Sequence, residues 1–144
     1  MRVRTPKVRF QSLSIEGLTL NSSFNMRLNA QVKVKNANFG EFKFPESAIS
    51  ILYRGNVVGN GVIPGSAAGA RSSKKLNVTV DVESKKDPFL GSDLNSGRVT
   101  LSSHAMLKGK VHLLKVVKKK TTATMNCTMD VDTRTRAVVN LKCK

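Results

Sequence analysis

The chain has 144 residues, with 25 Lys+Arg against 9 Asp+Glu and a formal net charge of +16. That length suits one domain with room for a core, and 40% hydrophobic with 24% charged residues excludes a disordered tail. No apolar run approaches the ~18 residues of a spanning helix, residues 1–10 hold no signal-peptide core, and two Cys with two His are too few for a zinc site of the Cys/His kind.

Taken in chain order, the dominant signal is alternation. Residues 8–18 give a weak strand pattern. From Met26 the pattern is regular: Met26, Leu28, Ala30, Val32 and Val34 share one face, and Arg27, Asn29, Gln31, Lys33 and Lys35 the other. Period two over such a run predicts a half-buried strand. Weaker strands are expected over 48–54 and 57–63, set apart by the breakers Gly40, Pro45, Arg54-Gly55-Asn56 and Pro64-Gly65. Residues 66–75 are small and polar and predict a mobile loop. Leu76, Val78, Val80 and Val82 restore the alternation, with Asn77, Thr79, Asp81 and Glu83 outward. A helix of about two turns is expected next, with Asp87 as N-cap, Pro88 in its first turn and Gly97 as its stop. Val99 and Leu101 begin another strand. Residues 109–118 favour extended backbone through Val111, Val116 and Val117. Met125, Cys127, Met129 and Val131 form a further strand, and Val139, Leu141 and Cys143 the last. Many strands at hairpin spacing with one short helix predict an antiparallel sandwich or barrel.

Register can be read for the final hairpin. With Cys127 opposite Cys143, Met129 faces Leu141 and Val131 faces Val139, leaving 133–137 as the connection. Each pair then puts two apolar residues on one face, which a slip by one residue would break. Directly opposed cysteines come within disulfide reach, so a Cys127–Cys143 bond is expected in an oxidising compartment. Three N-x-Ser/Thr triplets begin at Asn21, Asn77 and Asn126. The last two fall on outward strand faces and the first in a turn, so all three are candidate N-glycosylation sites.

No catalytic constellation emerges. His104 and His112 have no partner nearby in sequence. There is no nucleophile elbow, Walker-type loop or H-E-x-x-H motif. Asp130-Val131-Asp132 lacks the glycine and distal glutamate of a calcium loop. The expectation is a chain without enzymatic activity, cofactor or metal. Charge is the remaining signal. Arg2, Arg4, Lys7 and Arg9 crowd the amino end, and Lys108, Lys110, Lys115 and Lys118 to Lys120 form a second group. With 5% aromatics and no Trp, stacking platforms for nucleic acid are not expected. The first group suits an anionic surface, membrane or cell-wall polysaccharide, where each basic residue gains about 1 kcal/mol.

The order of these features resembles a known family. It is carried by Val32-Lys33-Val34-Lys35-Asn36-Ala37-Asn38, by Ala48 to Gly55, and by Val58-Gly59-Asn60-Gly61-Val62-Ile63-Pro64. The strand from Leu76 to Val82, Gly97 to Leu101, Leu107 to Val111 and the Cys127/Cys143 pair complete it. Together they resemble the plant late embryogenesis abundant type-2, or water-stress and hypersensitive-response (WHy), domain. The family often has Asn-Pro-Asn where this chain has Asn36-Ala37-Asn38, so the proline-fixed turn is absent. The resemblance implies one domain over residues 1–144. Its fold would be an immunoglobulin- or fibronectin-III-like antiparallel β-sandwich of about seven strands. It further implies a non-enzymatic stress and defence role in the membrane-anchored, hypersensitive-response-induced-like branch. A transmembrane anchor would precede the domain, which would face the cell exterior or a lumen; the alternative is a cytoplasmic protein. It would bind protein partners, wall components or the membrane surface. The competing expectation is a lipid-binding module with an apolar cavity between its sheets, softened by Met26, Met106, Met125 and Met129.

Overall fold

The computed structural model describes residues 3–20, 24–84, 93, 95–113 and 117–144. They form ten strands: β1 Lys7–Leu20, β2 Phe24–Asn36, β3 Glu41–Phe44, β4 Ser47–Tyr53, β5 Asn56–Ile63, β6 Ser66–Ala68, β7 Ser72–Ser84, β8 Arg98–His112, β9 Lys118–Asp132 and β10 Ala137–Cys143. The class is all-β, as expected, and every pairing is antiparallel.

The ladders run β1–β2–β7–β5–β4–β8, and β9 then β10 follow beyond β8. Since β9 occupies one edge of β8 along its full length, β4 and β3 share the other edge, at residues 102–105 and 110–112. The sheet curls until β1 approaches β10. At that seam Arg136 Nη1 donates to the Leu18 carbonyl at 2.8 Å, and Cys143 Sγ lies 3.9 Å from the Phe10 carbonyl. This is a nearly closed barrel of ten strands rather than a sandwich of about seven. Closure covers edges that an open sheet would expose.

The core follows the alternation. Leu28, Val32, Val34, Ile49, Ile51, Leu101, Met125 and Met129 are buried from successive inward positions, together with Phe24, Phe42, Ile63 and Leu107. Of the four methionines expected inside, Met106 is the exception: it stands on the outward face of β8 and is exposed. The weak pattern of β1 has a local cause. Register shifts after Phe10 and after Ile15 each insert one residue, so inward positions pass from Val8 and Phe10 to Leu13 and Ile15, then to Leu18 and Leu20. A bulge adds one residue to a period of two and therefore switches faces.

Other expectations are corrected by pairing. Residues 66–75 are not a free loop: β6 pairs with β3 through Phe42–Ala68, and β7 begins at Ser72. Residues 109–118 are not one strand, because 109–112 end β8 and Lys118 opens β9. Gly109 lets β3 cross closely over β8, since a Cβ there would collide with the Lys43 carbonyl and the Phe42 ring. The expected helix start, Asp87 and Pro88, lies outside the described residues. At its expected end, Gly97 has φ +86°, and its N–H donates to the Asp93 carbonyl at 3.1 Å.

Candidate anionic-surface end

The β2–β3 connection organises one end of the barrel. Asn36 and Asn38 are 1% and 4% exposed, so every polar atom they carry needs a protein partner. Asn36 Nδ2 lies 2.9, 3.2 and 3.1 Å from the carbonyls of Gly40, Ala68 and Gly69. Its Oδ1 accepts from the Asn38 backbone N–H at 3.1 Å and from Asn38 Nδ2 at 3.0 Å. Asn38 in turn ties down the amino-terminal segment. Its Nδ2 donates to the Arg4 carbonyl, its Oδ1 accepts from the Arg4 N–H, both at 2.7 Å, and its own carbonyl accepts from Arg71 N–H at 2.9 Å. Two side-chain amides thus fasten β2, β3, the β6–β7 turn and the chain preceding β1. Neither residue was expected to act beyond its turn, because the partners outside that turn (Arg4, Ala68, Gly69 and Arg71) are more than 30 residues away in sequence.

Around this knot the registers assemble basic rows. On the outward face Arg9 faces Lys33, which faces Lys75, and Lys7 faces Lys35 in the adjacent row. On the neighbouring face Lys43 meets Lys110, which meets Lys120. All lie toward the end that holds Asn38, as do Arg4, Arg71 and Lys118. Of the sequence-predicted surface contacts, Arg4, Lys7 and Arg9 are exposed here, and Arg2 is outside the described residues. The second predicted group, apart from Lys115 outside the described residues, joins the same end. Sequence reasoning missed Lys33, Lys35, Lys75 and Lys43. Their outward parity was readable for β2, but their opposition to other cations exists only through long-range register.

The opposite end has the reverse character. Arg27 Nε lies 2.9 Å from Asp81, Arg54 Nη2 3.6 Å from Asp93, and Arg98 Nη1 3.9 Å from Asp130. Asp130 also accepts from Asn140 Nδ2 at 2.9 Å and Thr100 Oγ1 at 2.7 Å, and these donors hold its carboxyl below the usual carboxylate range. Asp132 is lowered chiefly by the Thr135 backbone N–H, which donates to it at 3.1 Å in the β9–β10 turn. The pair therefore caps a turn and a bulge. Burial, followed by the hydrogen bond to Asp93, pushes the Tyr53 hydroxyl up.

Cys127 and Cys143 are directly opposite, as expected, with Cα atoms 4.0 Å apart and sulfurs placed compatibly with a disulfide. Lys144 N–H donates to the Asn126 carbonyl at 2.9 Å, which makes the cysteines the close, non-hydrogen-bonded pair. Beyond them the expected register fails. Val131 faces Val138 rather than Val139, and Asp130 faces Val139, because a bulge at Asn140 and Leu141 intervenes. Asn140 adopts φ +55°, a conformation asparagine tolerates better than most residues. Among the candidate glycosylation sites, Asn77 and Asn126 are exposed on outward faces, and Asn21 lies outside the described residues. Asn126 Oδ1 is 2.8 Å from His104 Nδ1, a cross-strand partner invisible in sequence. Among the described residues, no three His, Cys, Asp or Glu side chains converge as metal ligands.

The described residues thus form a curled antiparallel β-domain with one cationic end. Residues 31–129 match the family model for late embryogenesis abundant protein, and the chain belongs to that family, in its type-2 form. It is 30% identical over 156 aligned positions to a late embryogenesis abundant protein of Arabidopsis thaliana, covering 100% of this chain and 72% of that one. The fold matches the solution structure of an Arabidopsis thaliana protein, with a TM-score of 0.54 at 16% identity over 91% of this chain and 83% of that one. A second solution structure, of a late embryogenesis abundant protein, has a TM-score of 0.43 at 14% identity over 88% of this chain and 71% of that one.

Proposed function

We propose that this chain is a non-enzymatic stress-response domain that works by binding an anionic surface with its basic end. The observation that carries the reading is the segregation of charge. Six acidic residues, Glu16, Asp81, Glu83, Asp93, Asp130 and Asp132, gather toward the far end, while the rows Arg9–Lys33–Lys75 and Lys43–Lys110–Lys120 set like charges face to face at the basic end, where Glu41 offsets Lys43 in part at 3.7 Å. Such opposition costs stability and is relieved by an external anion. The domain is held at the plasma membrane by a preceding anchor and faces the exterior or a lumen. Entry of the chain beside Asn38 supports this placement, because an anchor before Val3 would hold the basic end against the bilayer. A defence role and glycosylation at Asn77 or Asn126 belong to the same reading.

Co-sedimentation with vesicles of phosphatidylcholine and phosphatidylglycerol tests it. Binding is expected at low salt, fading as the Debye length shrinks from about 10 Å at 0.1 M salt to about 3 Å at 1 M. Neutralising Arg4, Lys7, Arg9 and Lys33 together should abolish it. Sedimentation indifferent to salt and to those substitutions would overturn the reading.

A further inference from the structure

We propose that Phe39 is an insertion element: it enters the interfacial layer of an anionic bilayer while the surrounding cations contact headgroup phosphates. This rests on the surface-binding reading and adds a residue, a depth and an orientation to it. Phe39 is 69% exposed, the most exposed large apolar side chain among the described residues, and it sits at the tip of the β2–β3 connection. Its exposure is enforced. The residues on both sides of it are held, since the Asn38 carbonyl accepts from Arg71 N–H and the Gly40 carbonyl from Asn36 Nδ2. The Arg71 guanidinium lies over this outward ring, 4.9 Å from its centroid.

The surroundings are amphipathic in the sense a bilayer interface requires. Beside Phe39 runs a groove of about 670 Å³ lined by the apolar Val3, Ala37 and Leu113 together with Arg4, Thr5, Asn38 and Arg71. Farther out, Lys35 and Lys118 flank the same end. A soluble polyanion, such as a wall polyuronate, would engage the cations but leave Phe39, Val3 and Leu113 in water. An anionic bilayer satisfies both, because amphipathic surfaces bury their apolar part about 5–10 Å deep while cations remain at the phosphates. The orientation follows: the barrel stands end-on, with Asp93 and Asp132 farthest from the lipid.

The chain contains no Trp, so Phe39→Trp creates a single fluorescent reporter at the site. With vesicles of phosphatidylcholine and phosphatidylglycerol, its emission should shift to the blue and be quenched by lipids brominated along the acyl chain. Phe39→Ser should weaken co-sedimentation about tenfold, since part of a ring's transfer energy is lost. Phe39→Leu should keep most of it. Because Phe39 lies outside the core, Phe39→Ser should unfold at the wild-type temperature, which separates a binding loss from a folding loss. Salt-sensitive sedimentation with unshifted, unquenched Phe39→Trp emission would overturn insertion while leaving surface binding intact. Equal binding to soluble polygalacturonate, again without a shift on vesicles, would also overturn it. No sedimentation even at low salt would remove both readings.

Discussion

Replacing Asn36 by Ala should be among the most damaging single changes in this barrel, although it removes only an amide. The side chain is 1% exposed and serves three carbonyls, those of Gly40, Ala68 and Gly69, while accepting twice from Asn38. Truncation takes a donor from the Gly40, Ala68 and Gly69 carbonyls and an acceptor from the Asn38 N–H and Nδ2. Gly69 keeps the Ser72 N–H and Asn38 Nδ2 keeps the Arg4 carbonyl, so the cost falls on the remaining buried groups, at about 1–3 kcal/mol for each one deserted. Some relief is available: three acceptors share two hydrogens, and a water could enter the space. Two fully deserted groups remain a fair minimum, which gives a loss of about 3–4 kcal/mol. Against a domain stability of about 5–15 kcal/mol that is a large fraction. Urea unfolding followed by circular dichroism measures it, and the slope should be unchanged because the surface exposed on unfolding is nearly the same. Asn36→Asp should be at least as harmful, since it turns a carboxylate toward three carbonyl oxygens. A loss below about 1 kcal/mol for Asn36→Ala would refute the reasoning, because that is the net worth of one ordinary hydrogen bond.

Two further outcomes follow from the carboxyl-terminal hairpin. Cys127 and Cys143 should form a disulfide under oxidising conditions; closing a separation of 16 residues stabilises the fold by about 3 kcal/mol in the chain-entropy model, and intact mass with alkylation after denaturation decides it, two free thiols being the refuting result. Asn140→Gly keeps the positive φ but removes a donor from Asp130, costing about 1.5 kcal/mol at neutral pH; because the folded carboxyl is lowered, this stability is present above about pH 4 and lost as pH falls through the folded value, so wild type and variant should converge in acid.

What the sequence made legible was whatever depends on parity within one strand. β2, β7 and β9 were readable because inward and outward residues alternate without interruption over Met26–Val34, Leu76–Val82 and Met125–Val131. Each bulge defeated the same logic. In β1 it hid a strand of 14 residues as a weak pattern, and in β10 it moved the valine pairing by one residue. Strands β3 and β6 span only 4 and 3 residues, too short for any period to register. The basic end was half visible for a different reason. Charge runs at 2–9 and 108–120 stand out in a linear string, whereas Lys33, Lys75 and Lys43 join them only when strands distant in sequence lie side by side. The Asn36–Asn38 knot drew attention only as a motif of the family, not for the carbonyls it holds.

The ladder between β2 and β7 contains its own control for the role of the charges. At one point Arg27 faces Asp81 across 2.9 Å; six residues along β2, Lys33 faces Lys75, with Arg9 on its other side. The same pair of strands thus uses an attractive pairing near the far end and a repulsive one near Asn38. Lys33→Glu converts the second into the first. Directly opposed like charges are unfavourable by roughly 0.2–1 kcal/mol and opposite ones favourable by a similar amount. Flanked by Arg9 and Lys75, the variant should therefore gain about 0.5–1 kcal/mol at low salt, less at high salt because the site is solvated. The same change removes two units of positive charge from the proposed surface contact, where each is worth about 1 kcal/mol, so vesicle binding should weaken by about tenfold or more. Urea midpoints at two salt concentrations, read beside co-sedimentation, test both halves. A variant less stable than wild type at low salt would mean that the lysine supports the fold. Unchanged vesicle binding would mean that the row is only a solvated face.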